Sequence, residues 1–334
     1  IARQQDLQVL LSAQVADLYF AYRTTQLRIG IARKNAAIQR RSLEITERLF
    51  GSGQSSELDL QQARTQYLAT LATIPELEIS LIRIRNAMAA LLGRPPGQLP
   101  ELAAGREELP VVAPQFVGEL PARLVLRRPD VRAAAWQVAA QSAQIGIAEA
   151  DFYPAISLFG TIGWSGDTLD TSPDTGSFGV GPSLTWNVFD YGRIRNNVRL
   201  QDARLQQSIE NFQNSVLQAA REIDDAAIGV AKTREQQSVL SESVTASERS
   251  LELANRRYQE GYEIFQRVLY AQRALISQAE RELVNRGNHI SAVIDLYRAM
   301  GGGWLDMPLG PPTNSRFSMT LFTIKRKARE IIAR

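Results

Sequence analysis

The sequence predicts a mainly α fold in which long, coiled-coil-like helices carry one β-hairpin of membrane-spanning length. Three observations lead there. Residues 1–50 and 194–259 keep a helical pattern with no proline in either stretch. Glycines at 51, 53 and 261 punctuate that pattern at the ends of both stretches. Between the helical blocks, residues 156–164 and 178–188 change to a period of two.

Taken in order, residues 1 to about 50 read as one helix rich in Ala, Leu, Gln and Arg, all tolerated or favoured in helices. Gly51, Ser52 and Gly53 break it. Ser55 or Ser56 then caps a second helix, with Glu57 and Asp59 in its first turn where a carboxylate meets the positive end of the helix dipole. That helix runs to about Leu92, with Pro75 expected to kink it or mark a local break. Gly93, Pro95, Pro96 and Gly97 end it, and a shorter helix is expected over about Arg128 to Ala150. The next helix, Ile194 to Gln259, spaces Leu205, Ile209, Phe212, Val216, Ala220, Ile223, Ala227 and Val230 three and four residues apart, as a coiled-coil seam requires. At 1.5 Å per residue it is about 100 Å long. A last helix follows Gly261, from about Phe265 to Met300.

The two helical halves repeat. Placing Gly53 on Gly261 gives an offset of 261 − 53 = 208, which also superposes Ser42 on Ser250, Leu43 on Leu251, Glu44 on Glu252, Arg48 on Arg256, Ala63 on Ala271 and Gly93 on Gly301. The matches bracket the turn and both ends of the returning helix, so the reading is a duplicated helical hairpin.

The hairpin region alternates differently. Ile156, Leu158, Gly160, Ile162 and Trp164 share one face; Phe178, Val180, Pro182, Leu184, Trp186 and Val188 follow after a polar loop. Each segment is about the 9–11 residues a transmembrane strand needs. Trp164, Phe178 and Trp186 fall where interfacial aromatics are favoured. Phe159 breaks the otherwise polar opposite face. A lone hairpin is unstable in water and its open edges cannot face lipid. Identical chains around an axis close such a sheet, and long apolar-striped helices pack likewise into a tube.

Composition removes other classes. The net charge of +3, from 38 basic and 35 acidic residues, argues against a nucleic-acid partner. With no cysteine there is no thiol nucleophile, disulfide or cysteine zinc site. The single histidine, His289, leaves little for a triad or a metal site and reads as an ordinary polar helix position. No Gly-rich phosphate loop or nucleophile motif accompanies acidic pairs such as Asp224 and Asp225, so no enzyme, cofactor or metal is expected. No apolar run approaches the roughly 20 residues of a membrane-spanning helix. Ile1 opens directly into helical pattern, as in a chain whose beginning is missing.

Several motifs resemble the TolC/OprM family of outer membrane factors. They are Arg128-Pro-Asp-Val131, Ala148-Glu-Ala-Asp151 leading into Phe152-Tyr-Pro-Ala155, Trp186-Asn-Val-Phe-Asp-Tyr-Gly-Arg193, and Tyr258 and Gly261 followed by Val268-Leu269 and Ala271-Gln272-Arg273. Met300-Gly-Gly-Gly-Trp304 is similar to the family's closing motif. The resemblance implies a homotrimer with a long periplasmic α-barrel and a shared twelve-stranded outer-membrane β-barrel. It implies a Gram-negative outer-membrane location extending into the periplasm, outer-membrane lipid, a periplasmic adaptor protein and an inner-membrane RND-type transporter as partners. A first β-hairpin and a lipid-anchor cysteine would precede Ile1. The chain then divides into a first helical hairpin (1–93), an equatorial connection (94–127), a helix leading to the barrel (128–153), the transmembrane hairpin (154–190), a second helical hairpin (191–304) and a C-terminal tail (305–334).

By the same resemblance the helical turns are periplasmic tips that meet the adaptor and constrict the resting pore. Gly53, Ser55, Glu57, Gly261, Glu263 and Arg267 are the expected adaptor contacts; solvated charge is the alternative for the charged ones. Phe265, Tyr270 and Arg273 are the expected gate, with packing between helices the alternative for the two aromatics. Tyr270 departs from the family pattern, where an aspartate ordinarily precedes this alanine. A phenol neither attracts cations nor pairs with arginine at neutral pH, so weaker cation selectivity is expected. The basic stretch Lys325-Arg-Lys327 with Arg329 lies outside the resemblance and reads either as a surface-binding tail or as a disordered extension. The expected function is a passive exit duct for drugs or other toxic small molecules. Protein secretion or metal-ion efflux stand as alternatives within the fold, and a soluble coiled-coil scaffold outside it.

Overall fold

The computed structural model describes residues 2–103, 108–111, 125–165 and 175–302, with backbone alone at 103, 164, 165 and 175. The chain divides into two compact units. Among the described residues, one holds those up to 129 together with 219–302; the other holds 130–218.

In the first unit, α1 spans Ala2–Gly51, α2 Glu57–Leu91, and a four-residue helix, α3, Pro100–Ala103 lies in the connection that follows. Ser56 caps α2: its hydroxyl accepts from the Asp59 amide at 3.2 Å while the Asp59 carboxylate accepts from the Ser56 amide at 3.3 Å, a reciprocal capping box. The break expected at Pro75 is absent, and α2 passes through it as helix. One ladder bond is lost there, but Ala63 and Thr70 on one side and Met88 and Ala89 on the other are buried and hold both halves in place.

The second unit contains α4 from Asp130 onward (Pro129–Ala150), β1 (Ala155–Ser165), β2 (Thr175–Thr185) and the beginning of α5 (Arg193–Gln259). The strands form a two-stranded antiparallel sheet in which Ile156 faces Leu184, Leu158 faces Pro182 and Ile162 faces Phe178. Trp186 and Val188, expected within the second strand, lie beyond its end at Thr185. The Trp186 indole instead donates to the Phe152 carbonyl at 3.1 Å, tying the two strand ends together. Asp190 then starts α5, its carboxylate accepting from the Gly192 and Ile194 amides at 3.1 and 2.7 Å. These backbone donors hold the Asp190 carboxyl below its ordinary pKa, and they close a turn in which Tyr191 takes a left-handed φ of 49°.

Between residues 212 and 230 of α5 the buried positions are Phe212, Val216, Ala219, Ile223, Ala226 and Val230, a strict alternation of four and three. The expected seam through Ala220 and Ala227 is therefore one residue out of phase there, because a 3.5-residue repeat selects Ala219 and Ala226. The last helix, α6, spans Phe265–Ala299 and belongs to the first unit.

The repeat holds to the residue. The 208-residue offset carries the end of α1, Gly51, onto the end of α5, Gln259, and both ends of α2 onto both ends of α6. Gly53 and Gly261 adopt φ of 75° and 77°, and Gly93 and Gly301 adopt 67° and 88°. Each pair is followed by matching bonds: Gln54 to Leu49 and Tyr262 to Arg257, then Arg94 to Ala89 and Gly302 to Tyr297. Positive φ is the conformation a glycine terminator supplies without steric cost.

Arg128, 8% exposed, donates to the Ala299 carbonyl at 2.9 Å and to Glu222 at 2.7 Å. It thereby satisfies the end of α6 and fixes it to α5. A side chain at Gly301 would meet the Arg128 backbone at 3.2 Å, so that glycine is required for packing as well as for its φ.

Candidate functional site

The two turns of the repeated hairpin face a common cleft of about 770 Å³, lined among others by Leu49, Ser55, Leu58, Tyr258, Ile264 and Phe265. Beneath it Phe265, Val268, Leu269 and Ala271 of α6 are buried with Ala63 of α2 and Leu251 of α5, and Leu43 of α1 packs against them. All four long helices thus meet in one apolar cluster. Repeat partners Ala63 and Ala271, and Leu43 and Leu251, occupy it together, which is the physical content of their register.

Each expected site residue can now be placed. Phe265 is 3% exposed, its ring 5.3 Å from that of Tyr258 and tilted at 51°. Tyr270 is 58% exposed, and its hydroxyl accepts from Gln266 at 3.1 Å. The exposed Arg273 reaches across to α2, where its Nε donates to Gln66 Oε1 at 2.6 Å. So Tyr270 and Arg273 are presented to solvent by this chain, while Phe265 belongs to the core beneath them. At the turns, Gly53, Glu57, Gly261 and Arg267 are exposed and Ser55 is half-buried, its hydroxyl 3.3 Å from Asp59. Glu263 lies 3.7 Å from both Arg257 and Arg267, a loose pairing in water.

Two residues without an expected site role hold this region together. The Tyr258 hydroxyl bonds to Thr46 and Ser55, and burial pushes its pKa above the usual 10.0. Gln272, 2% exposed, donates to Ser42 at 2.8 Å, fixing α6 to α1. Tyr258 and Gln272 stood inside noted motifs, but their bonding partners lie on α1 and in the turn after it, which spacing does not reveal. Away from the turns, the His289 ring contacts the Thr233 hydroxyl at 2.9 Å. That hydroxyl also donates to the Gly229 carbonyl at 2.7 Å.

On the hairpin, Ile156, Leu158, Ile162, Phe178, Val180 and Leu184 form one exposed apolar face. Phe178 is 77% exposed within it, and Trp186 is 54% exposed just past the strand. The Trp164 backbone pairs with Gly176, but its side chain lies outside the described residues, as does the basic tail around Lys325. Among the described residues no helix is long and apolar enough to cross a membrane. No cluster of metal-ligating side chains occurs among them either.

The family described as outer membrane efflux protein matches residues 1–94 and 120–302. The chain belongs to that family. A solvent efflux pump outer membrane protein of Pseudomonas putida, SrpC, is 32% identical over 308 residues, covering 90% of this chain and 64% of its own length. The outer membrane protein OprJ of Pseudomonas aeruginosa is 30% identical, with 89% and 62% covered. The chain thus spans somewhat less than two thirds of the curated relatives it matches. Among solved structures, the outer-membrane channel OprN superposes with a TM-score of 0.81 at 33% identity, over 91% of this chain and 68% of that one. A CusC structure gives 0.77 at 27% identity, with 90% and 70% covered. The family is one of outer-membrane proteins of Gram-negative bacteria, and that is the location of this chain. Its relatives are named as channels and efflux proteins.

Proposed function

We propose that the protein is the outer-membrane exit duct of a tripartite efflux pump, passively conducting drugs, solvents or other toxic small molecules. The observation that carries this is the hairpin: two paired 11-residue strands with one apolar face left exposed, joined to long helical hairpins. Such a sheet needs neighbours on both edges and lipid on one face. A homotrimer sharing a twelve-stranded barrel supplies both, and the helices continue the conduit as an α-barrel into the periplasm.

The turns at Gly53 and Gly261 meet a periplasmic adaptor, with Ser55, Glu57, Glu263 and Arg267 beside them, and an inner-membrane RND-type transporter supplies the energy. Tyr270 and Arg273 constrict the resting pore, and Phe265 sets their position through the packing of the turn. On this reading Tyr270→Ala raises single-channel conductance, and an unchanged conductance counts against the gate. The names of relatives that handle solvents and toluene support apolar cargo. The 28% identical cation efflux protein CusC of Escherichia coli supports metal-ion efflux as a second reading. Growth decides between them: the full-length gene should restore solvent and drug tolerance to a host lacking its own channel. Restoration of tolerance to toxic metal cations alone would favour the second reading, and no restoration would remove the duct.

A further inference from the structure

One residue of the hairpin is unaccounted for by lipid contact. Apart from Phe159, the face of the sheet opposite the apolar one carries only Ala, Ser, Thr and Gly. Phe159 is 58% exposed and stands one residue from the middle of β1. It pairs with Gly181, and its ring carbon lies 2.6 Å from where a Cβ at 181 would stand. The ring thus lies over the glycine, in space that no other residue at 181 leaves free. An aromatic laid across a facing glycine covers exposed backbone and is thereby held in one orientation. Gly179 and Gly163 keep the rest of this face low, so the Phe159 ring stands above its surroundings.

In a membrane barrel the apolar face meets lipid and the alternate face lines the lumen. We propose that Phe159 is a lumen-facing aromatic contact for permeating apolar and aromatic solutes, one per copy, narrowing an otherwise small-residue channel wall. This rests on the barrel reading of the preceding subsection. Its chemistry is a π-face held rigidly in a water-filled path, which favours aromatic or cationic-apolar cargo over hydrophilic ions of the same size.

These 334 residues contain no cysteine, so each replacement is read as modification beyond that of the unreplaced full-length protein. The full-length protein is reconstituted in vesicles and planar bilayers as Phe159→Cys and, separately, Leu158→Cys, and treated with a water-soluble charged thiosulfonate. Modification is read by mass, and block of the open-channel current by tetraphenylphosphonium is compared between the parent and Phe159→Ser. The expected result is modification at 159, protection at 158, and block weakened about threefold in Phe159→Ser, the scale of one exposed cation–π contact. Modification at 158 with protection at 159 reverses the faces and overturns the proposal. Protection at both means that protein covers the ring and overturns it as well. Modification at 159 with unchanged block removes the solute contact while the barrel stands. Modification at both places the hairpin outside the bilayer and takes the barrel reading with it.

Discussion

The first turn, residues 51–56, and the second, residues 259–264, close on matching hydrogen bonds around a left-handed glycine. Ser56 caps the helix after the first, whereas Ile264 gives the helix after the second no side-chain cap. The substitutions run through the whole turn. Exposed Glu57 stands where Phe265 is buried, Asp59 where Arg267 is exposed, and Phe50, 42% exposed, where Tyr258 is half-buried. Two helix starts of one backbone geometry are therefore held by different forces. Local hydrogen bonds and acidic side chains at the positive helix end hold α2. Burial of Phe265, Val268 and Leu269 holds α6. The packed turn leads into the helix that carries Tyr270 and Arg273.

Substitutions at equivalent positions test the difference. Phe265→Ala should cost about 3–5 kcal/mol in the stability of the folded protein, the loss for a buried aromatic. Glu57→Ala, its repeat partner, should stay within about 0.5 kcal/mol. Equal losses in thermal or denaturant melts would erase the contrast. Gly53→Ala and Gly261→Ala should each cost about 1–2 kcal/mol, since both place a Cβ in the left-handed region. A large difference between those two would mean that the backbones are not equivalent.

Capping gives a smaller and opposite pair of effects. Ser56→Ala should lose about 1 kcal/mol, and Ile264→Ser should gain a few tenths to about 1 kcal/mol by supplying the missing acceptor. Smallest is the pH effect at Tyr258. Burial holds its phenol protonated to higher pH than in the unfolded chain, so its contribution is whole below pH 10 and is lost as pH rises through the folded value. Melting curves taken above pH 10 should therefore fall more steeply for the parent than for Tyr258→Phe. Parallel curves would show that Tyr258 is not the group responsible.

Much of this architecture could be read in the chain because glycine marks it. Gly53, Gly93, Gly261 and Gly301 sit at positive φ, a local requirement that leaves a local signature. Strand periodicity likewise placed Ile156, Leu158 and Ile162 on one face. Pro75 leaves α2 unbroken, because buried residues on both sides outweigh the one lost ladder bond. Trp186 misled because its apolar character served a bond to Phe152 beyond the strand rather than a place within it. The role of Arg128 was invisible, since its partners Glu222 and Ala299 are distant in sequence. For the same reason the turn sites were legible as a location but not as a division of labour. Nothing in the spacing of Phe265 and Tyr270 says that one is buried and the other exposed.

The most direct test of the central claim is the native mass of the full-length protein in mild detergent and in detergent-free buffer. A trimer that exists only in detergent is the predicted result, since the apolar faces of the hairpins need both a neighbour and a substitute for lipid. A monomer or dimer that stays soluble without detergent would contradict the shared barrel and return these helices to a coiled-coil scaffold.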